Sequence, residues 1–330
     1  MLPELLTLPS YGLMMALALL LGWAITMSLG RRDRLPPGPL STSYVLGAGL
    51  GLFGARLGWL LSRPGDVASG AELVAIRGDE LAPFLGIMFG ALVAGLHLTR
   101  RRVPVAAAYD VFAPAFAAGA VVERLGALLA GTGYGRVAPD LPWAIRFPAG
   151  SPPFVDHQRT LEGLLSAGAE QSLPVHPTQL YGLVLAGLTL GVALWLRKHR
   201  RFSGQVMLGT AIAHLAGRAF VEEWFRADAG AAMAGPFNSA QAGALTLIVS
   251  LGIVMWARGR LATQRPEAYR PWEGGRWSPR EPGDGGRPSV APSKPAAGGR
   301  TGGGTTKAKH KNKPKGSGAS GHHKKKRRKK

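Results

Sequence analysis

The 330-residue chain has no cysteine and few acidic residues. It holds 19 Asp and Glu against 40 Lys and Arg, which gives a formal net charge of +21. The absence of cysteine excludes disulfides, cysteine-ligated zinc and a cysteine nucleophile supplied by this chain. The eight histidines show no spacing typical of metal ligands in the first 257 residues, so the sequence predicts no metal site and no cofactor.

The excess of positive charge is confined to one end of the chain. Residues 258–330 contain 21 Lys and Arg and 4 Asp and Glu, a net charge of +17, whereas residues 1–257 carry +4. The tail is rich in Gly, Pro, Ser and Lys and cannot bury a core, so we predict a disordered polybasic tail over 258–330. The basic composition therefore gives no reason to assign nucleic-acid binding to residues 1–257.

Apolar runs recur through residues 1–257, where charged residues are scarce. A bilayer core is spanned by about 20 mostly apolar residues, and shorter or interrupted spans are tolerated where they face protein or a cavity. We expect one helix at each of the runs 11–29, 43–61, 84–98, 104–122, 178–196, 204–221 and 239–257. The sequence thus predicts an all-α polytopic membrane protein whose membrane domain, residues 1–257, has seven transmembrane helices.

Basic residues indicate how these helices cross the membrane. Clusters of Arg and Lys follow the first, third, fifth and seventh runs. By the positive-inside rule these loops are cytoplasmic, which predicts an N-terminus outside and a cytoplasmic C-terminus. Residues 131–177 fall on the outer side, are rich in proline and are too polar to span, so we expect them to form a small periplasmic head.

A few charged residues fall inside or at the ends of the apolar runs. Arg56 lies in the second run, Glu123 and Arg124 end the fourth, and Arg218 and Glu222 occupy positions i and i+4 of the sixth. A lipid-embedded Arg costs roughly 2.5–3.5 kcal/mol on insertion scales, so each is expected to have a partner. Two interpretations stay open: structural ion pairs between helices, or a surplus of arginine that binds an anionic phospholipid head group.

His176 lies in the segment VHPTQLYG, where the predicted head enters the fifth run. Pro177 is well suited to the first turn of a helix. The sequence alone leaves open whether His176 is incidental to a helix-entry loop or part of a functional site.

Six short segments of residues 11–257 form a recognisable series. They are Tyr11–Met14 (YGLM), Gly54–Gly58 (GARLG), Asp110–Pro114 (DVFAP), Arg124–Gly135, His176–Tyr181 (HPTQLY) and Gly217–Asp228 (GRAFVEEWFRAD). Their content and order resemble the motifs of the prolipoprotein diacylglyceryl transferase family, which are seven-helix enzymes of the bacterial inner membrane. HPTQLY is the most specific match, and the resemblance does not extend to the tail.

The resemblance implies an activity and a set of site residues. The family transfers a diacylglyceryl group from phosphatidylglycerol to the lipobox cysteine thiol of a preprolipoprotein, giving a thioether and releasing glycerol phosphate. By resemblance, Arg124 and Arg218 bind the lipid phosphate, Glu222 orients Arg218, and Tyr11 donates a hydrogen bond near the head group. His176 is a candidate base for the thiol. Further residues assigned to the phosphate site are Arg56, Gly126 and Gly135.

The chain also departs from the family motifs. Leu85 stands where the family's FHGGLLG segment has its histidine, Glu123 replaces the first glycine of the signature GRxGNFxNxExxG, and Gly182 follows HPTQLY where the family has Glu. Other changes within that signature are Ala127 and Ala130 for two Asn and Thr132 for Glu. These changes keep an alternative open: a catalytically degenerate relative that binds anionic phospholipid or lipoprotein precursor without transfer.

The remaining expectations concern location and the tail. The resemblance implies a multi-pass protein of the bacterial inner membrane, and the absence of an inverted repeat disfavours a transporter. The polybasic tail is expected to lie on the anionic inner leaflet, where each basic residue adds about 1 kcal/mol of binding. Salt-dependent contact with nucleic acid or the ribosome is the less favoured alternative.

Overall fold

The computed structural model describes residues 4–5, 8–62, 82–161, 163–165, 168–229, 232–234, 237–266 and 271–272. All of these belong to one compact unit, residues 1–291. Residues 63–81 and nearly all of the predicted tail lie outside the described residues.

The described residues are mostly helical, as the sequence predicts. The helices are α1 (Ser10–Arg32), α2 (Pro37–Ser62), α3 (Pro83–Arg100), α4 (Val105–Ala130), α5 (Pro152–Thr160), α6 (Thr178–His199), α7 (Gln205–Gly217) and α8 (Ser239–Gln264). Two antiparallel pairs of short strands join β1 (Glu4–Leu5) to β2 (Leu8–Pro9) and β3 (Ala232–Ala234) to β4 (Phe237–Asn238). Both pairs are too small to change the all-α class.

Among the described residues, five helices are long and apolar enough to cross a bilayer: α1, residues Pro37–Leu61 of α2, α4, α6 and α8. The apolar part of α3, Phe84–Arg100, is shorter, and α7 has 13 residues. The protein is therefore a multi-pass membrane protein by the length and composition of its helices. Several helices differ from the predicted runs: α2 begins at Pro37, α4 continues to Ala130, α7 stops at Gly217, and α8 continues to Gln264, inside the segment predicted as tail.

The outer surface of the helices is strongly apolar. Side chains that are more than 60% exposed include Leu20, Leu92, Val184 and Leu188. A soluble monomer seldom exposes apolar residues on this scale, whereas lipid covers them at no cost. Glycines and alanines fill much of the interior instead. A Cβ added at Gly90 of α3 would come within 2.4 Å of the Gly47 carbonyl oxygen of α2, so the two helices touch backbone to backbone.

The helices pack side by side in the order α3, α2, α1, α4, α6, α7, α8, and α4 also packs against α7. Asp110, fully buried in α4, fixes the start of α7. Its carboxylate accepts hydrogen bonds from the backbone N–H groups of Gly204 (2.7 Å) and Met207 (3.1 Å). It thus satisfies amide groups that a helix start leaves without partners. The role of this buried acid is therefore structural: it caps the first turn of α7.

A second charged group, the Asp33 cluster, joins the end of α1 to the end of α6. It consists of Asp33, Arg197, Arg200, Ser203 and Trp272. The Asp33 carboxylate lies 2.8 Å from Arg197 Nη2 and 3.2 Å from Arg200 Nη1. Trp272 covers it, because its indole N–H donates to the Asp33 carbonyl oxygen (2.8 Å) and its backbone N–H to Ser203 Oγ (2.9 Å). Trp272 also packs on the buried apolar residues around Leu40.

Residues 131–177 form the segment predicted as a head. Backbone pairing joins Val175 to both Val137 and Ile145, and α5 packs its buried His157 inward. The backbone N–H of Leu173 donates to His157 Nδ1 at 3.2 Å. Burial lowers the pKa of His157, and this outweighs the opposite effect of Asp156. His157 is therefore a neutral acceptor at pH 7.

Candidate functional site

Charged side chains meet where the end of α4, the segment after α7, the start of α1 and the start of α8 come together. We call this group the Glu222 cluster. Its members are Tyr11, Glu123, Arg124, Arg218, Glu222, Glu223, Arg226 and Asp228. It brings together four of the residues that the sequence assigns to the site, namely Tyr11, Arg124, Arg218 and Glu222.

Glu222 is the centre of the cluster and is 2% exposed. Its Oε1 atom lies 3.1 Å from Arg124 Nη1, 3.5 Å from Arg226 Nη1 and 3.8 Å from Arg218 Nε. One buried carboxylate therefore serves three guanidinium groups. The sequence predicts that Glu222 orients Arg218, but its shortest contact is with Arg124.

The backbone between α7 and α8 explains how two successive glutamates join the cluster. After Gly217 the chain forms a π-helical turn over Arg218–Glu222 and then a 3₁₀ turn over Glu223–Phe225. Successive residues of a regular α-helix diverge around its axis, and π turns of this kind are frequent at functional sites. Here Glu223 is buried as well, and it accepts from Arg218 Nη1 at 2.5 Å and from Asn238 Nδ2 at 2.9 Å.

The charges of the cluster do not match the predicted surplus of arginine. Its three arginines face four carboxylates. Arg226, for example, binds Asp228 as well as Glu222. Burial lowers the pKa of Arg226, but the hydrogen bond and charge of Asp228, with help from the glutamates, raise it above its ordinary value. Arg218 is the most exposed of the three arginines, with 32% of its side chain accessible, against 15% for Arg124 and 13% for Arg226.

Tyr11 reaches the arginines through an acid. Its hydroxyl donates to Glu123 Oε1 at 3.3 Å, and Glu123 Oε2 lies 3.4 Å from Arg124 Nε. Gly126 makes this approach of α1 to α4 feasible, because a Cβ there would lie 2.7 Å from the Met14 Cβ. In the structure, Gly126 therefore allows α1 and α4 to pack closely beside Tyr11.

His176 adjoins the cluster through an aromatic contact. Its ring centroid lies 4.9 Å from that of Phe225, and its Nδ1 lies 3.3 Å from the Tyr181 hydroxyl. The Tyr181 hydroxyl also accepts from the indole N–H of Trp143 at 2.9 Å. Burial, with a contribution from the charge of Arg136, lowers the pKa of His176, so its imidazole is neutral at pH 7.

Gly135 holds the His176 backbone against the end of the 3₁₀ turn. Its N–H donates to the His176 carbonyl oxygen at 3.1 Å. A Cβ at this position would lie 2.5 Å from His176 Cβ and 2.7 Å from the Phe225 carbonyl oxygen. Only glycine fits this contact. The requirement for glycine at position 135 is therefore steric and does not depend on a ligand.

Arg56 is a member of α2 and not of the Glu222 cluster. It is 3% exposed, and its guanidinium carbon lies 4.7 Å from the centre of the Trp59 ring. Leu85, the position at which the family motif has histidine, is 40% exposed and packs against Gly58 of α2. Both residues therefore belong to the α2–α3 pair.

The altered signature residues lie where α4 ends. Ala127 is buried, and its carbonyl oxygen accepts from the Thr132 backbone N–H at 3.0 Å. The Thr132 carbonyl oxygen in turn accepts from Gln179 Nε2 at 3.0 Å. Gly131 follows Ala130 in a left-handed conformation, with φ of 72°. These contacts use the backbone, so the small side chains do not break them.

Four members of the cluster were not assigned to the site from the sequence: Glu123, Glu223, Arg226 and Asp228. Glu223 and Arg226 lie within the quoted segment GRAFVEEWFRAD, but an α-helical spacing does not place both glutamates on one face. Asn238 opens α8 with Gln241 in a capping box, and Gln241 also donates to the Ala219 carbonyl oxygen at 3.1 Å. The spacing N-x-x-Q before an apolar run is a capping signal that is visible in the sequence.

The family model and the individual relatives that match this chain carry the same name. The family model of prolipoprotein diacylglyceryl transferase matches residues 2–258. Proteins named phosphatidylglycerol–prolipoprotein diacylglyceryl transferase are similar over most of their length. The one from Erwinia tasmaniensis is 32% identical over 274 residues, 77% of this chain and 90% of the relative. Those from Verminephrobacter eiseniae and Geobacter sulfurreducens are each 30% identical, over 77% and 70% of this chain and 90% and 83% of the relatives.

Proposed function

The chain belongs to the prolipoprotein diacylglyceryl transferase family, and we propose that its Glu222 cluster binds the phosphate of phosphatidylglycerol during transfer. The enzyme moves a diacylglyceryl group from phosphatidylglycerol to the lipobox cysteine of a prolipoprotein. One observation carries the assignment of the site: three arginines converge on a single buried carboxylate, and one of them remains one-third exposed.

Arg218 is the residue that we assign to first contact with the phosphate. A guanidinium presents a planar fork of N–H donors that matches two phosphate oxygens. Arg218 already uses Nη1 for Glu223, and its Nε is 3.8 Å from Glu222. Its accessible side chain leaves donors available to a ligand. Arg124, which shares Glu222 with Arg218, provides a second positive charge for the phosphate.

The proposed transfer is a displacement at carbon. The thiolate sulfur of the prolipoprotein attacks the glyceryl carbon that carries the phosphate, and a carbon–sulfur bond forms as the carbon–oxygen bond breaks. The electron pair stays on the phosphate oxygen, and glycerol phosphate leaves. Arg124 and Arg218 stabilise the negative charge that grows on that oxygen, and such preorganised charge is often the largest single term in catalysis.

His176 is the residue that we assign to the thiol proton. A free thiol has a pKa of about 8.5, so a neighbouring base raises the fraction of the nucleophilic thiolate. The lowered pKa of His176 keeps its ring neutral and able to accept. In the tautomer that this role needs, the Nδ1–H of His176 donates to the Tyr181 hydroxyl, and Nε2 is left free to accept the thiol proton.

The supporting residues are assigned lesser roles. Tyr11 donates its hydroxyl hydrogen bond to Glu123 Oε1 and so holds this acid beside Arg124, near the proposed head-group site. Gly126 and Gly135 bring the backbone close to the bound phosphate. Arg56 is buried on α2 beside Trp59, and we assign it to the lipid phosphate as a second contact.

We propose the topology that the charge pattern predicts. In that topology α3 and α7 complete seven transmembrane helices, because an α3 of 18 residues and an α7 of 13 residues can be shielded by their neighbours α2, α6 and α8. The N-terminus is outside and the C-terminus is cytoplasmic. The Glu222 cluster then lies at the outer end of the bundle, and residues 131–177 form the periplasmic head of a bacterial inner-membrane protein.

We further propose that the tail binds the anionic inner leaflet. Its net charge of +17 suits phosphatidylglycerol-rich membranes, and contact with nucleic acid is the less favoured alternative. A protein that lacks residues 273–330 should keep transferase activity but bind anionic vesicles less in its detergent-extracted form. An RNA pull-down that is lost on the same deletion would favour the alternative.

The function is tested in cells depleted of their own transferase. The chain is expressed with a reporter lipoprotein, and lipidation is followed by the mass of the reporter. We expect a mass increase of one diacylglyceryl group, and none with a reporter whose lipobox cysteine is serine. An unmodified reporter, despite confirmed membrane insertion of the chain, would favour the alternative of a relative that binds lipid or precursor without transfer. The names of the relatives do not favour that alternative.

A further inference from the structure

Arg124 is held by two carboxylates that approach different atoms. Glu222 binds Nη1 at 3.1 Å, and Glu123 binds Nε at 3.4 Å. Adjacent residues on a helix do not normally face each other, so the contact between Glu123 and Arg124 needs an additional constraint. Tyr11 supplies it, because its hydroxyl fixes the Glu123 carboxylate from α1.

Gly182 of α6 faces the same part of Arg124. A Cβ at this position would lie 2.8 Å from Arg124 Cδ and 2.9 Å from Arg124 Nε. It would also lie 3.1 Å from Glu222 Oε2. The Arg124 side chain therefore occupies the space into which any side chain at position 182 would extend. Every residue other than glycine must displace Arg124.

Two departures from the family motifs thus meet at one atom. The signature has glycine where this chain has Glu123, and HPTQLY is followed by Glu where this chain has Gly182. Position 123 is on α4 and position 182 on α6, 59 residues apart, yet both lie against Arg124 Nε. The two changes conserve the composition of the site, which keeps one glycine and one carboxylate.

We propose that Glu123 and Gly182 are a reciprocal exchange, in which the carboxylate that positions Arg124 has moved from α6 to α4. Glu123 is then a positioning residue: it orients Arg124, which binds the lipid phosphate. Gly182 leaves the room in which Arg124 takes that orientation. The inference rests on the proposed function, since the orientation of Arg124 has a catalytic consequence only if Arg124 holds substrate.

A four-member cycle tests the exchange with purified protein and phosphatidylglycerol. Its members are the unchanged chain, Glu123→Gly, Gly182→Glu and the double variant. Each single change should lower kcat/KM by about tenfold or more, because Arg124 loses its partner or is displaced. The double variant should recover to within about threefold of the unchanged chain, since contacting residues couple strongly. A double variant that is no better than the worse single variant overturns the exchange.

Two matched pairs separate positioning from folding. Gly182→Ala should lower activity, whereas Gly187→Ala on the same helix should not, because a Cβ at Gly187 meets nothing within 4 Å. Glu123→Asp should retain more activity than Glu123→Gln at equal thermal stability. Equal activity in both pairs overturns the inference. If the unchanged chain itself transfers no lipid, the proposed function fails instead, so the two failures are distinguishable.

Discussion

Two charged clusters lie at opposite ends of α1 and α6, and they differ in how they use their carboxylates. In the Asp33 cluster one acid binds two arginines, and Trp272 covers the acid. In the Glu222 cluster four acids bind three arginines, and Arg218 keeps 32% of its side chain exposed. The arginines of the Asp33 cluster are 13% and 14% exposed.

This difference in arginine exposure distinguishes a structural ion pair from a binding site. A closed cluster has no accessible donor left for a ligand, and its charges tie helix ends together. An open cluster holds an arginine in place with acids but leaves part of it accessible. The number of arginines does not distinguish the two cases, because the arginines of both clusters are already paired with carboxylates. The partial exposure of one guanidinium that is bound to a buried carboxylate does.

The largest expected effect comes from Glu222→Gln. The change keeps the shape of the side chain but leaves three arginines without their shared charge, and breaking a buried ion pair costs about 3–5 kcal/mol. We expect transfer activity to fall by about 100-fold or more, together with a lower thermal midpoint in detergent. Activity near that of the unchanged protein would remove the distinction between the two clusters.

Arg218→Lys sharpens the comparison with a smaller effect. Lysine keeps the charge but lacks the planar fork, so we expect about tenfold lower kcat/KM with little change in stability, because the side chain is one-third exposed. The matched control is Arg197→Lys in the Asp33 cluster, which should leave kcat/KM unchanged. An effect of the same size in both variants would mean that the loss is structural.

Asp33→Asn should act on stability alone. The acid bridges Arg197 and Arg200 at the end of the bundle that lacks the open arginine. Loss of its charge should lower the free energy of unfolding by about 2 kcal/mol, measured by thermal denaturation in detergent. Activity per folded molecule should not change. A loss of activity without a loss of stability would show that the Asp33 cluster also takes part in transfer.

The sequence predicts the helices better than it predicts the clusters. Apolar runs locate the helices, because a bilayer demands about 20 apolar residues wherever the chain crosses. The pairing of Arg218 with Glu222 was also predicted, but from an α-helical period that the chain abandons at Gly217. A π turn depends on tertiary contacts such as those of Asn238 and Gln241, and no local pattern encodes them.

The Asp33 cluster was missed for a related reason. Asp33 lies among basic residues at the end of the first run, and in sequence it is indistinguishable from a solvated loop acid. Its partners Arg197 and Arg200 come more than 160 residues later. Trp272 lies in the segment assigned to the tail. Contacts between distant segments follow from the packing of α1 against its neighbours, which composition and period do not reveal.

The smallest expected effect is a pH dependence at the end of the molecule that carries the Glu222 cluster. His157 has a lowered pKa because it is buried, so the unfolded chain binds a proton that the folded chain excludes. Its contribution to stability is therefore fully present above the ordinary histidine pKa of about 6.5 and is lost as pH falls below it. Protonation would also oppose the bond from the Leu173 N–H to Nδ1.

Hydrogen exchange measures this loss at the Leu173 amide. Between pH 7.5 and 5.5, after correction for intrinsic rates, protection of that amide should fall by more than protection of the amides around Asp33. His157→Asn keeps an acceptor without a proton equilibrium in this range and should weaken the dependence. His176 shifts in the same direction, so some dependence should remain in the variant. Equal loss of protection at both ends would show that acid loosens the whole bundle, and the two clusters would then not differ in their response to pH.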